Sequence, residues 1–585
     1  MIRAQTISRL LGWDSWLPLA LAATLGSAVG VAALGFILPI RAALDWLSGS
    51  GPGHLGLWVL ALPIAGALLA GVVARLMPTS FRGHGVSRVL LAVHRDQGQM
   101  RLGIGIRQWL RSTFTIASGG SAGPEGPIVT IGAALGASLA AWLGAGAQLR
   151  TTLLGCGAAA GLAAVFNAPL AGVFFVLEVI LRDFTLRTFA PIVVAAVMGA
   201  TTAQAILGSN EPLFGIAPEA FATDTFSISH LPWMCAVAIL CGLAAGLFGR
   251  FCDWSQTQFE RIRTSPLLVP VIGAALLALL GLGWVASTGE RGLPPFYGDG
   301  YPAVVALLDQ PPPGSTLSAL GLLALALLVK SVATACTVSS GGAGGLFAPT
   351  LLLGAILGAA CGLLLRSVGI EVSPMQTAVI GMGAFVAGSA MAPLTGALLV
   401  YEVTGLDSIV LSSVAAAAIA VTAARLVNRE SVYEGELRHY GVRLGVVSDS
   451  MLLRRQTIRD IGHTPAVAVR LDAPAESLKG LAATAETADI IAINESGRPV
   501  AVVAAADLRS ALLNQSALAI MHVQDLARHD LPVLRLEDSL AEALERFSTA
   551  DLDTLPVVGA DGELLGVLTR TRMLLAYHRL LDSPS

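Results

Sequence analysis

The chain is poor in charge. Asp, Glu, Lys and Arg make up only 13% of its 585 residues, against about 25% in a typical soluble domain. A water-soluble globule of this size is thereby excluded. The net charge of −3 carries no information about nucleic acid, and no concentrated basic stripe is present, so no nucleic-acid partner is expected. Cysteine is sparse: Cys156, Cys235, Cys241, Cys252, Cys336 and Cys361 lie scattered in apolar sequence. With no CxxC pair and no His/Cys cluster, neither a zinc site nor a disulfide framework is expected, and the six read as buried small apolar residues. A nucleophile–base constellation and a GxxxxGK[ST] phosphate loop are also missing. The reading is of a non-enzyme with no metal and no required cofactor.

What is there is apolar. Hydrophobic residues reach 54% and mean hydropathy is +0.72. Uncharged stretches at Ser15–Ile40, Leu55–Ala74, Leu231–Gly249, Pro266–Ser287 and Ser408–Ala423 approach or exceed the ~20 residues that span a bilayer core. Glycine, at 64 residues, falls within these runs, as where membrane helices approach closely or break. The start, "MIRAQTISRLLGWDSW", puts two arginines before the first run. That run is too long for a cleaved signal peptide, so residues 1–14 read as a cytoplasmic segment before a retained first helix.

Composition changes near Glu430, and charges with short alternating runs dominate from about Leu444. The tail, about 445–585, repeats itself: Leu471 to Leu536 and Gly497 to Gly562 are both offsets of 65. Each unit reads as helix, strand, turn at Ser-Gly or Asp-Gly, strand, helix start. "LPVVGADGELLGVLTRTRML" is the clearest part of what resembles a tandem pair of CBS domains, at 455–515 and 520–580.

The apolar part is also duplicated. "SGGSAGPEGPIVTIGAALGA" from Ser118 is answered by "SSGGAGGLFAPTLLLGAILGA" from Ser339, with Gly119 to Gly341 and Pro127 to Pro349 both shifts of 222. "NAPLAGVFFVLEV" from Asn167 is answered by "MAPLTGALLVYEV" from Met391, where Pro169 to Pro393 is 224. Matched, Gly/Pro-interrupted segments are the mark of an inverted-repeat transporter, and the breaks point to the site. Each break stops one helix and starts another, leaving unpaired N–H groups and about half a positive charge at the new N-terminus. Two such ends aimed at one point would hold an anion.

"GPEGP" (Gly123 to Pro127), "GLFAP" (Gly345 to Pro349), "GHGVS" (Gly83 to Ser87) and "SVYEGEL" with Tyr433 resemble the CLC family of chloride channels and chloride/proton antiporters. The resemblance implies an all-α, polytopic membrane fold with broken and re-entrant helices over about 15–440, in inverted repeats at about 15–225 and 226–440. It implies Glu125 as a gate, a tethered carboxylate that competes with chloride and takes a proton. Leu346, Phe347 and Gly126 would offer main-chain groups to the ion and Tyr433 its hydroxyl. Gly83, Gly85, Gly123, Pro127, Gly345 and Pro349 would shape the pore. It further implies a homodimer with one pore per subunit in a bacterial inner (plasma) membrane, both termini cytoplasmic.

Four departures from the family pattern matter. His84 takes the place of a chloride-binding serine, and its imidazole retains one donor; Ser87 takes the place of a proline. Pro124 replaces a basic residue, which predicts weaker anion occupancy at the outer mouth. Val179 stands where the antiporters commonly carry an inner proton-passing glutamate, with Glu178 one position, about 100°, away. This favours passive chloride conduction over proton-coupled exchange through the same Glu125. In the tail, the Ser/Thr-x-x-Asp pair of nucleotide-binding CBS units is halved: Ala504 with Asp507, and Thr569 with Arg572. A structural, dimer-forming role is expected ahead of adenine nucleotide binding. A cation transporter with a regulatory tail would need several inward carboxylates, and the apolar runs hold few beyond Glu125, Glu178 and Glu402.

Overall fold

Backbone amides away from water must be satisfied within their own segment, so the apolar runs become helices. The computed structural model describes residues 13–49, 57–79, 85–209, 211–215, 230–262, 264–265, 267–289, 293–309, 315–439, 442, 456–484, 489–513, 518–529, 531–550, 552–559 and 561–582. The chain divides after Leu444 into two units. In the first half of the membrane unit run α1 (Trp13–Gly49), α2 (Leu62–Leu76), α3 (Gly85–His94), α4 (Leu102–Ala117), α5 (Glu125–Trp142), α6 (Ala147–Phe166), α7 (Pro169–Phe175) and α8 (Leu186–Leu207). The second half holds α9 (Leu231–Glu260), α10 (Leu268–Thr288), α11 (Tyr301–Asp309), α12 (Thr316–Val338), α13 (Phe347–Ser367), α14 (Pro374–Ala390), α15 (Pro393–Thr404), α16 (Val410–Val427) and α17 (Val432–His439). Among the described residues, nine helical stretches are long and apolar enough to cross a bilayer.

The repeat seen in sequence is a repeat of packing. Gly132 and Gly136 on α5 lie against the carbonyls of Gly157 and Leu153 on α6, and Gly354 and Gly358 on α13 lie against those of Gly381 and Thr377 on α14. A Cβ at any of the four would overlap backbone, so glycine is what lets these helices touch. The outer pairs repeat too: Gly26 of α1 meets Ala195 of α8, and Gly242 of α9 meets Ala420 of α16. α6 and α14 each end on a left-handed residue, Asn167 (φ 55°) and Met391 (φ 57°). The chain then enters α7 and α15 through Ala-Pro, with the proline in the first turn where no N–H is missed. α7 differs from the expected 3.6-residue period, widening into a π-helical turn at Val176–Leu181.

The second unit holds α18 (Ile458–Ile461), β1 (Ala468–Arg470), α19 (Leu478–Thr484), β2 (Ile490–Ile493), β3 (Pro499–Val503), α20 (Ala505–Leu513), β4 (Leu534–Arg535), α21 (Leu540–Ala550), β5 (Thr554–Val558), β6 (Leu564–Thr569) and α22 (Arg570–Asp582). β1 runs parallel to β2 and β2 antiparallel to β3; β4, β5 and β6 repeat this order. The hairpin tips are Gly497 (φ 73°) and Gly562 (φ 79°), at the predicted offset and in a conformation natural to glycine. Within this unit its two repeats exchange edges: Thr464, ahead of β1, bridges Val567 of β6, and Arg528, ahead of β4, bridges Val502 of β3.

Candidate anion site

The halves meet at their glycine-rich breaks. Gly119 after α4 takes φ +96° and Gly341 after α12 takes +101°, a region nearly closed to side-chain-bearing residues. Gly120 N–H closes on Thr115 O and Gly342 N–H on Thr337 O, both at 2.9 Å. The bonds then cross: Ser121 N–H donates to Thr337 Oγ1 (3.1 Å) and Ala343 N–H to Thr115 Oγ1 (3.3 Å). Gly123 and Gly345 exchange N–H···O bonds of 2.8 and 2.7 Å. This cross-half ladder sets the N-terminal ends of α5 and α13 side by side.

Glu125 opens α5, and its carboxylate reaches across to the other half. Oε2 accepts from Ala348 N–H in the first turn of α13 (3.4 Å), and Oε1 accepts from the Tyr301 hydroxyl. Only 2% of Glu125 is exposed. First-turn amides have no partner in their own helix and sit at the positive end of its dipole, so the acid occupies a place suited to any small anion. Beside it lies a cavity of about 30 Å³ lined by Gly85, Gly126, Leu346, Phe347 and Tyr433. That is enough for one small ion or water. Pro127 and Pro349 stand in the first turns of α5 and α13, and Gly123 and Gly345 form the ladder. Gly83 and His84 lie outside the described residues.

Tyr433 is buried and comes to the cavity from α17, edge-on to Phe175 with ring centroids 6.1 Å apart. Its carbonyl accepts from the Ser87 hydroxyl (3.1 Å), so the serine in the place of a proline ties the start of α3 to this tyrosine. Phe347 packs between Phe166 (5.6 Å) and Phe175 (5.8 Å), walling the cavity with rings.

A second crossing lies at α7 and α15. Glu402 at the end of α15 accepts from Leu170 and Ala171 N–H at the start of α7 (2.9 and 2.8 Å). Glu178 accepts from Leu394 N–H and from Thr395 N–H and Oγ1 at the start of α15 (3.0, 2.8 and 2.6 Å). Each half thus caps the other's helix with a carboxylate. Val179 is buried in the apolar core, and its neighbouring acid is engaged in capping.

Three residues at the site escaped the sequence reading. Tyr301 holds Glu125, and its own N–H donates to the buried Asp299 Oδ1 (3.1 Å). Lys330, 1% exposed within α12, donates to the carbonyls of Phe296 (3.3 Å) and Gly298 (3.5 Å). The Gly298 carbonyl also accepts Ala122 N–H at 3.2 Å, so a cation sits against the break that carries Glu125. A lone lysine in a 23-residue apolar helix is the signal that could have found it, since an intramembrane charge is a functional candidate by default.

In the tail, Asp507 accepts from Arg528 Nε (2.8 Å), and Thr569 Oγ1 accepts from Arg572 N–H (3.1 Å). Both remnants of the nucleotide motif are used locally.

The sequence profile of the voltage gated chloride channel family matches residues 65–425, and that of the CBS domain matches 523–579. The chain belongs to the CLC family of voltage gated chloride channels and carries a C-terminal CBS domain. It is 30% identical to a putative ClcB-like chloride channel protein of Ralstonia nicotianae, over 71% of this chain and 95% of that one. It is 28% identical to chloride channel protein CLC-f of Arabidopsis thaliana over 71% of this chain, spanning about half (54%) of that longer protein. The crystal structure of a slow cyanobacterial Cl−/H+ antiporter shares the fold, with a TM-score of 0.60 at 24% identity, covering 72% of this chain and 97% of that one.

Proposed function

We propose that the chain is a glutamate-gated, passive chloride channel of the CLC type, with the CBS pair as a cytoplasmic regulatory and dimer-forming tail. The observation that carries this reading is the Glu125 carboxylate on the Ala348 amide of the opposite half. An acid in that position mimics the permeant ion; when it is neutralised or swings away, chloride takes its donors. Tyr433, Leu346, Phe347 and Gly126 line the adjoining cavity, which supports them as the ion's other contacts. The burial of Val179 and the capping role of Glu178 support passive conduction, because no titratable group at that position takes up a proton from the inner side. We place the protein as a homodimer in a bacterial inner membrane with both termini cytoplasmic. The arginine-rich connection from Arg75 to Arg107 fits that orientation under the positive-inside rule.

Proton-coupled exchange through the same Glu125 is the competing reading, since a carboxylate that gates an anion can also carry a proton. Reversal potentials of purified protein in planar bilayers, recorded with and without a pH gradient, separate the two. Passive conduction gives the chloride Nernst potential whatever the proton gradient. A reversal potential that moves with the proton gradient overturns the channel reading in favour of exchange.

A further inference from the structure

Away from the anion site, one cleft of the membrane unit gathers four arginines around a single acid. It opens where α2 and α3 end and α4 begins, has a volume of about 740 Å³, and is lined by Arg88, Arg95, Arg101 and Arg107 with Asp96 as the one acid. Among the described residues, Asp96 pairs with Arg88, at 4.0 Å. Among the described residues, the guanidinium groups of Arg95, Arg101 and Arg107 have neither an ion pair nor a hydrogen bond, and the buried Arg107 Nε is without a partner. Like charges facing one space repel, and a buried N–H left unpaired is destabilising. Both penalties vanish when a polyvalent oxyanion enters.

The chemistry and the location narrow the occupant. A guanidinium presents a planar fork of donors that matches phosphate oxygens in pairs. The cleft volume lies within the roughly 300–1,000 Å³ of ligand sites. α1 and α2 are successive candidate spans, so the end of α2 returns to the face from which α1 sets out, at the level of lipid headgroups. From the cleft an apolar stripe climbs α4: Leu102, Ile106 and Leu110, spaced by four and each about 40% exposed. Such spacing keeps them on one helix face, where an acyl chain can lie.

We propose that this cleft binds the phosphate headgroup of an anionic phospholipid, with one acyl chain along the Leu102–Ile106–Leu110 stripe. Basic recesses between membrane helices are suited to such headgroups, and a ligand held only by the folded state raises its stability. The full chain purified in detergent should melt several degrees higher in mixed micelles with phosphatidylglycerol than with phosphatidylcholine. Because both side chains are exposed, the double variant Arg95→Gln/Arg101→Gln should fold normally and melt like the wild type in phosphatidylcholine. It should lose at least half of the phosphatidylglycerol increment. Inorganic phosphate, added at matched concentration, should leave both proteins unmoved. Equal wild-type melting in the two lipids, or an increment the variant keeps, overturns the proposal. If inorganic phosphate alone reproduces the increment, the occupant is a soluble phosphate and the lipid assignment falls.

Discussion

The breaks at 118–127 and 339–349 share a backbone and differ in one decisive side chain. Both carry a left-handed glycine, both send an amide to the other's threonine hydroxyl, and their glycines pair with each other. Yet Glu125 and Phe347 stand at the same place, 222 residues apart. One half sends an anion across; the other receives it with a helix end and walls it with a ring. The supporting cations are just as unequal: Arg111, which donates to Gly341 O at 2.7 Å, answers to Ala333, and Lys330 answers to Gln108. Duplication supplied a symmetric cradle. Unlike side chains turned it into a donor and an occupant.

Removing the occupant should have the largest effect on conduction. Glu125→Gln keeps the shape and drops the charge, losing a carboxylate–helix attraction of about 1–2 kcal/mol. Chloride efflux from liposomes at neutral pH should rise roughly 5- to 30-fold. Wild-type efflux should climb as pH falls, because protonation frees the site, whereas the variant should show a flat profile. An unchanged pH slope would remove Glu125 from the gate.

The reciprocal caps offer a direct test of unequal halves. Glu178→Ala leaves three donors unmatched and Glu402→Ala leaves two. At about 1 kcal/mol or more per lost bond, melting of the purified protein should fall further for Glu178→Ala. Equal losses would mean that the extra Thr395 hydroxyl bond contributes nothing. Packing should instead be symmetric: Gly132→Ala and Gly354→Ala both drive a Cβ into backbone and should each cost about 1–3 kcal/mol. If denaturation shows only one of them to be harmful, the two helix pairs are not equivalent.

Tyr301→Phe should give the smallest change. It removes one of the groups that hold the Glu125 carboxylate, worth about 1 kcal/mol. Chloride efflux at neutral pH should rise by about fivefold while the wild-type pH dependence persists. A variant indistinguishable from the wild type would leave the hold on Glu125 to main-chain amides, that of Ala348 among them.

Much of this was legible because the backbone itself demands particular residues. A left-handed turn asks for glycine, a helix start tolerates proline, and the two recur at shifts of 222 and 224. Tyr301 and Lys330 were hidden for the opposite reason. Any donor of the right length could serve, and each approaches from more than 170 residues beyond Glu125. Ser87 read as a lost proline until its bond to the Tyr433 carbonyl appeared. In the tail the hairpins were visible, but β1 and β4, at three and two residues, are too short to show alternation.

By itself the sequence determined that the chain is a membrane protein built twice over, with an acid at one broken helix and none at the other. That follows from composition and repeat, which are properties of the string. Only the tertiary structure decided where the acid goes. Its carboxylate is satisfied by an amide and a hydroxyl of the opposite half, and such a match depends on how two helix ends are set together in space. No local pattern of residues records it.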